Sequence, residues 1–290
     1  MELTFREDYW DDQQAKESLI RFLYDIHNLD LTLWDERGLW DRKYRPFSFF
    51  DGDRVVSNVC IYTMDMVVAG RECRVAQVSG VGTHPDYRRK GLSSELTRRA
   101  MEWAQPKHDF FYLFADEEAF SLYARFGFRN VIEHKTVLAV EGREAVPGAE
   151  KLNIDSPDHF QFIYRKAAER EAVSDTLGIK NKRLLMFWCL YFLRDEIHYI
   201  NDLDIIVMFS RESGIVTVSD VVGSQIPPFA DIYPYISDPA DREVHFLFMV
   251  DKMNLIDARP VALDGSNGTH LCGDFPLGDS EFILPRTSQA

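Results

Sequence analysis

At 290 residues, 46% of them apolar and 28% charged, the chain is long enough for two ordinary domains with real cores. Its formal net charge of -14 argues against nucleic acid as a partner, since phosphates would be repelled outside a local basic patch, and suits a cationic one. The four cysteines, Cys60, Cys73, Cys189 and Cys272, show no Cys-x-x-Cys spacing, so they suggest buried thiols in a reducing compartment rather than a metal site or a disulfide framework.

Along the chain, Leu19, Ile20, Phe22, Leu23 and Ile26 recur at helical spacing and predict a first helix over Gln14–His27. A shorter helix is expected over Leu31–Leu39. Pro46–Phe50, the turn Asp51-Gly52-Asp53 and Val55–Thr63 read as strand, hairpin turn and strand. Arg74–Gly82 follows as a strand, Leu92–Trp103 as a helix and Phe110–Ala115 as a buried strand. Glu117–Tyr123 reads as a helix that Gly127 ends, and Val131–Val140 as another strand. Pro147 and Gly148 mark Glu141–Leu152 as a linker, which predicts a boundary between residues 1–148 and 149–290.

In the second half, Pro157–Val173 and Asn181–Glu196 read as helices and Asp204–Phe209 and Ile215–Val221 as strands. Pro228–Ile236 reads as a helix and Val244–Met249 as a strand, with smaller strands near Val261 and Leu271. The element order echoes the first half, a repeat of pattern rather than of sequence. Leu185 to Phe192 reads as core. The longest apolar run, Leu184–Leu193, is about half the length of a membrane span, so no membrane partner is expected. Met1-Glu2 and Glu7-Asp8 lack the basic and apolar regions of a signal peptide, which predicts a cytoplasmic chain. In that setting Asn267-Gly268-Thr269 reads as a turn rather than a glycan acceptor.

The richest stretch runs from Val78-Ser79-Gly80-Val81-Gly82-Thr83 through Arg88-Arg89-Lys90-Gly91-Leu92-Ser93 into Glu95 to Ala100, in the order strand, glycine-bearing turn, helix. A helix N-terminus has unpaired N–H groups and a partial positive charge, so a turn leading into it is a cradle for phosphate. Gly91 lets a ligand approach the backbone, and Arg88, Arg89 and Lys90 add cationic side chains. Val221-Val222-Gly223-Ser224-Gln225-Ile226-Pro227, the corresponding turn of the second half, has a glycine but no basic residue.

With Val81-Gly82-Thr83-His84-Pro85 ahead of it, Arg88-x-x-Gly91-x-Ser93 resembles the coenzyme A signature of the GCN5-related N-acetyltransferases, Gln/Arg-x-x-Gly-x-Gly/Ala, with Ser93 at the last small position. Downstream, Asp116-Glu117-Glu118-Ala119-Phe120-Ser121-Leu122-Tyr123-Ala124-Arg125-Phe126-Gly127-Phe128 is similar to the family's Asn-x-x-Ala-x-x-Leu-Tyr-x-x-x-Gly-Phe, with Asp116 in place of Asn. The resemblance covers roughly residues 1 to 140, an ordinary single-domain length. The whole layout resembles the two-domain, enhanced-intracellular-survival type.

The resemblance implies an α/β protein in two parts. Residues 1–148 would form a GNAT domain with a mixed, mostly antiparallel sheet flanked by helices, and residues 149–290 a degenerate GNAT-like domain without the coenzyme loop. It implies acetyl transfer from acetyl-CoA, a co-substrate, to a primary amine of a small cationic or peptide substrate, with no metal. Alternatives are another acyl-CoA, a hydroxyl acceptor, or a non-catalytic module that responds to acetyl-CoA; a homo-oligomer is compatible with each. By resemblance, the Val81 N–H faces the thioester oxygen and Tyr123 protonates the departing thiolate, a role suited to a phenol with a reference pKa of about 10. Arg89, Lys90, Gly91, Leu92, Ser93 and Ser94 would hold the pyrophosphate, with Arg88 either joining them or bracing the loop. Val81, Gly82 and Thr83 would run beside the pantetheine arm, and Asp116 would either touch that arm or cap a helix. Glu117, Glu118, Asp65 and the Ala290 carboxylate are candidate bases, each also readable as solvated surface. Asp25, His27, Asp30, Trp34, Asp35, Glu36, Trp40 and Tyr44 interleave carboxylates with aromatics and are expected either to hold an ammonium or to form an acidic helix face. His84 and His108 read as structural.

Overall fold

The computed structural model describes residues 3–265 and 268–290; Met1, Glu2, Ser266 and Asn267, the last with its expected turn, lie outside the described residues. Strand β1 (Thr4–Glu7) leads to α1 (Gln13–His27), whose start is set by Asp12 accepting the Ala15 N–H at 3.0 Å. Leu19, Phe22 and Leu23 bury its inner face, and Asn28 closes it in the left-handed conformation. Next come α2 (Thr32–Glu36), β2 (Tyr44–Asp51), β3 (Arg54–Val68), β4 (Arg71–Thr83), α3 (Leu92–Ala104) and β5 (Phe110–Phe114). The first half ends with α4 (Phe120–Ala124), β6 (Arg129–Asn130) and β7 (His134–Ala139).

Beyond residue 148 lie β8 (Ala149–Lys151), α5 (Pro157–Glu169), β9 (Leu177–Ile179), α6 (Lys182–Tyr191), β10 (Ile197–Ile200) and β11 (Ile205–Glu212). They are followed by β12 (Ile215–Val222), α7 (Phe229–Ile236), β13 (Glu243–Phe246), β14 (Arg259–Ala262) and β15 (Thr269–Gly273). Every long element expected from the sequence is present. The unexpected ones, β1, β6, β8, β9 and β10, have two to four residues, too few to display a period. Helix α5 stops at Glu169 rather than Val173 because Arg170 turns extended and pairs with Asp220 in the interior, at 2.7 and 2.9 Å.

Two mixed sheets result. The first has the order β1-β2-β3-β4-β5-β15-β6 with β9 added to the far end of β3; the second, read the same way, runs β8-β10-β11-β12-β13-β7-β14. The echo of element order is therefore an echo of topology, and the parallel pair sits at the same place in both, β4 with β5 and β12 with β13. The two halves also trade strands. β15 lies between β5 and β6 in the first sheet, while β7 lies between β13 and β14 in the second. A boundary after residue 148 thus cuts across both sheets, because local patterning carries no information about which distant strand completes a ladder.

Sheet one is packed on both faces, in step with its pleat. Val59 and Ile61 join Leu96, Ala100 and Met101 of α3, whereas Tyr62, Met64 and Met66 face the larger core that includes α1 and α6. The run Leu184 to Leu190 is buried in that core as expected, but Phe192, past the helix end, is 54% exposed. Cys60, Cys73 and Cys189 are buried, Cys272 is half-buried and all four are free. Among the described residues, no helix is long and apolar enough to cross a membrane.

Candidate active site

Strands β4 and β5 pair only over Val75–Gln77 with Phe110–Tyr112. Beyond Gln77 they diverge, and Val78 to Val81 face Phe114, Ala115 and Asp116 across an open cavity of about 700 Å³. On its other side β4 breaks register with β3: Cys60 pairs with Ser79 and Asn58 with Gly82, leaving Gly80 and Val81 opposite Val59 alone. This is a β-bulge, and Gly80 takes a φ of +56° to make it. Buried Asn58 holds it, donating from Nδ2 to the Gly80 carbonyl at 2.8 Å while Oδ1 accepts from Ser48 Oγ at 2.7 Å. Tyr9 extends the chain through its 2.6 Å hydroxyl contact with Ser48. At Gly82 a Cβ would meet Ile26 Cγ2 at 2.8 Å and His27 Nε2 at 3.4 Å, so the end of α1 lies directly over the strand.

From Thr83 the chain makes a short turn over Pro85–Tyr87 and enters α3 through Gly91, at φ +76°. No side chain caps α3, so the N–H groups of its first turn are available to a ligand. The Cβ direction of Gly91 is open, with nothing within 4 Å. Arg88 Nε donates to the Thr83 carbonyl at 3.1 Å. Lys90 reaches the Asp86 carbonyl at 3.2 Å and lies over the Tyr87 ring. Arg89 is exposed and, among the described residues, has no ion-pair partner. Thr83 Oγ1 lies 2.7 Å from Ser93 Oγ and 2.8 Å from Ser57 Oγ, which ties the strand end to the helix start. Leu92, Ser93 and Ser94 stand half-buried in that first turn.

Tyr123, on α4, lines the cavity and is 5% exposed. Burial first, and the Asp116 charge second, push its phenol up to about 12, so it stays protonated at neutral pH. Among the described residues its hydroxyl has no hydrogen-bond partner. Asp116 also lines the cavity and caps no helix with its side chain. His27, from the end of α1, joins them; burial lowers its pKa while Asp116 opposes that, leaving a neutral imidazole at pH 7. The sequence named His27 only within the acceptor segment and not beside Tyr123, and the Asn58 clamp and the Gly80 bulge escaped it altogether. The only traces were polar Ser57-Asn58 and a glycine inside otherwise apolar strands.

Of the proposed bases, Ala290 lines the cavity, while Asp65, Glu117 and Glu118 do not; Asp65 pairs with Lys43 at 3.0 Å. Ala290 is clamped by Gln77, which accepts its N–H at 2.8 Å and donates to its main-chain oxygen at 3.0 Å. The residues before it are also held: Gln289 by Trp188, Ser288 by Tyr112 and Thr287 by Asp220. Cavity-lining Glu133 is buried too, accepting from Thr269 Oγ1 at 2.6 Å and the Leu284 N–H at 2.7 Å, and its pKa is raised by burial.

The expected acceptor segment divides. His27 and Tyr44 line the main cavity, whereas Trp34 and Trp40, again with Tyr44, wall a side cavity. The acids do not converge there: Asp35 pairs with Lys16 at 2.7 Å, Asp30 accepts the Thr32 N–H, Glu36 is exposed and Asp25 lines a separate groove. His108 is bonded through both ring nitrogens, to Thr63 Oγ1 and the Ala104 carbonyl, while His84 Nδ1 stands 3.6 Å from Asp86. In the second half, the stretch of β12 past its parallel pairing carries Asp220, locked to Arg170 and Thr287 with both charged partners 1% exposed, so that place is interior rather than cleft. No cluster of metal-ligating side chains occurs among the described residues.

Residues 29–131 match the family model described as an acetyltransferase (GNAT) domain. No curated protein is similar enough in sequence to match the chain. Among solved structures, a conserved Enterococcus faecalis protein described as a probable N-acyltransferase superposes with a TM-score of 0.62 at 14% identity, over 93% of this chain and 72% of that one. Eis1 from Mycobacterium abscessus gives 0.58 at 15% identity, over 93% and 73%. A GCN5-related N-acetyltransferase from Kribbella flavida gives 0.52 at 16%, over 93% and 71%. At these identities the structures establish the fold, and they extend it beyond the matched domain to nearly the whole chain. Residues 29–131 thus match a GNAT acetyltransferase domain, and nearly the whole chain shares its fold with Eis1.

Proposed function

We propose that the protein transfers the acetyl group of acetyl-CoA directly to a primary amine, within the acyl-transfer chemistry of its family. The observation that carries this reading is the divergence of β4 from β5 after Gln77, which opens a cavity flanked by a bulged backbone and by Tyr123, with the uncapped start of α3 nearby in the chain. These residues fit the coenzyme. The N–H groups of Leu92, Ser93 and Ser94, with Gly91 leaving room and Arg89 and Lys90 adding charge, would hold its pyrophosphate. The stretch Val78 to Thr83, open on its β5 side, would run beside the pantetheine amides, near Asp116. When bound, acetyl-CoA supplies an activated thioester.

The Val81 N–H then stabilises charge on the thioester oxygen as the amine nitrogen bonds to the carbonyl carbon. His27, neutral and beside Gly82, takes the proton that the new ammonium loses. As the carbon–sulfur bond breaks, Tyr123 gives its proton to the thiolate and is reprotonated from solvent. With four free thiols, the chain fits a cytoplasmic protein.

Thiol release from acetyl-CoA across an amine panel tests the reading. Gly91→Glu, at a left-handed position and with a carboxylate aimed at phosphate, should abolish coenzyme binding by calorimetry. Tyr123→Phe should lower kcat roughly a hundredfold with coenzyme affinity kept. Unchanged affinity in folded Gly91→Glu protein would sink the site assignment, and coenzyme binding without thiol release from any amine would indicate a sensor.

A further inference from the structure

Beside the main cavity lies a side cavity of about 40 Å³ walled by Trp34, Trp40, Tyr44, Tyr62, Leu184 and Phe187. The rings form a continuous wall, with centroids 6.4 Å apart for Trp34 and Trp40, 5.7 Å for Trp40 and Tyr44, 5.7 Å for Tyr44 and Tyr62, and 5.6 Å for Trp34 and Phe187. Leu29, Tyr44 and Ala290 line both cavities, so the two adjoin. Their shared wall touches the bulge, since the Tyr44 hydroxyl stands 3.0 Å from where a Cβ on Gly80 would be.

Aromatic walls can hold a cation or an apolar group, and the neighbouring charges decide between them. The one side-chain carboxylate among the lining residues, Asp41, faces Arg183 Nε at 3.5 Å and accepts the Lys43 N–H at 3.0 Å. Ala290 also lines the cavity, and its main-chain oxygen is held by Gln77 Nε2 at 3.0 Å. Arg183 is itself fixed by the Leu39 and Trp40 carbonyls, and the Tyr62 hydroxyl takes a bond from Asn181 at 3.1 Å. An ammonium placed here would lose its hydration and find the Asp41 charge already matched by Arg183 and the Ala290 oxygen already held by Gln77. A small apolar group loses nothing comparable and fills a space that water occupies poorly.

We propose that this side cavity is a specificity pocket for a short apolar group on one of the two reactants. Its volume is room for roughly three water-sized spheres, or a chain of two or three carbons. The group is either a substituent of the acceptor amine or the acyl chain of the donor. This inference rests on the acyl-transfer reading and adds the chemistry of the substrate.

Two series on the full chain separate the sources. In one, acetyl-, propionyl-, butyryl- and hexanoyl-CoA are compared with a fixed amine; in the other, ethylamine to hexylamine and the matching diamines are compared with acetyl-CoA. One series should show kcat/KM rising roughly tenfold with the first added methylenes and then falling. Diamines of equal length should gain nothing. Leu184→Phe should move the maximum to shorter chains and Phe187→Leu to longer ones, so a folding failure in either variant leaves the other informative. A maximum in the donor series assigns the acyl chain, and one in the acceptor series the amine. Flat profiles in both, with turnover intact, overturn the inference and leave the acetyltransferase reading standing. If no amine is turned over, saturable change in tryptophan emission on titrating butylamine and butyramide, lost in Leu184→Phe, supports the pocket, and no change for either probe overturns it.

Discussion

Asp116 acts on two neighbours at once: it raises the pKa of His27 against the effect of burial and adds to the rise at Tyr123. Asp116→Asn should therefore let the His27 pKa fall further and bring Tyr123 down towards its ordinary value. As the proposed base His27 would work only when neutral, so the acid limb of kcat/KM should lie below the ordinary histidine pKa and move to lower pH in the variant. The alkaline limb, set by loss of the Tyr123 proton, should also move down. A pH–rate profile checks both, and an unmoved acid limb would remove His27 from the mechanism. Tyr123 and Gly91 were legible in the sequence because each sits in a contiguous motif. His27 was not, because its role depends on α1 crossing over Gly82.

The decisive element is β4, which serves three neighbours along its length. It pairs with β3 throughout, with β5 only at Val75–Gln77, and it bulges where Gly80 and Val81 oppose Val59. The bulge displaces the backbone at Gly80 and Val81, and Asn58 fixes it by a buried hydrogen bond to the Gly80 carbonyl. Asn58→Leu keeps the volume but leaves the Gly80 carbonyl and the Ser48 hydroxyl short of partners, at about 1–3 kcal/mol for each group left unsatisfied. Urea unfolding should show that loss, and kcat should fall more than coenzyme affinity, because the loop at 88–94 is untouched. A destabilised variant with wild-type kcat would mean that the bulge holds without its clamp. Strand, turn and helix were readable here from local pattern, whereas the divergence was not, because the sequence does not say where a ladder stops.

At the scale of the molecule, the exchange of β15 and β7 builds each sheet from both halves, so the two should fold as one unit. Residues 1–148 alone would leave β5 with an unpaired edge from Phe110 to Phe114 and expose the Tyr62–Met64–Met66 face that α6 helps to cover. Expressed separately, 1–148 should be insoluble or molten by near-UV circular dichroism, and co-expression with 149–290 should restore the native signal. A cooperatively folded 1–148 fragment would show that the exchange is dispensable. The same joining delivers Gln289 and Ala290 to the cavity, with residues 287–290 held by bonds to Asp220, Tyr112, Trp188 and Gln77 that span both halves. The sequence by itself determined the long helices and strands, the turn that leads into α3 and the tyrosine motif after β5, because each is written in contiguous residues with a recognisable period or spacing. The tertiary structure decided which strands close each sheet, where β4 leaves β5, and how the acceptor segment splits its aromatics from its acids. Those features arise from contacts between residues far apart in the chain, and no local pattern encodes them.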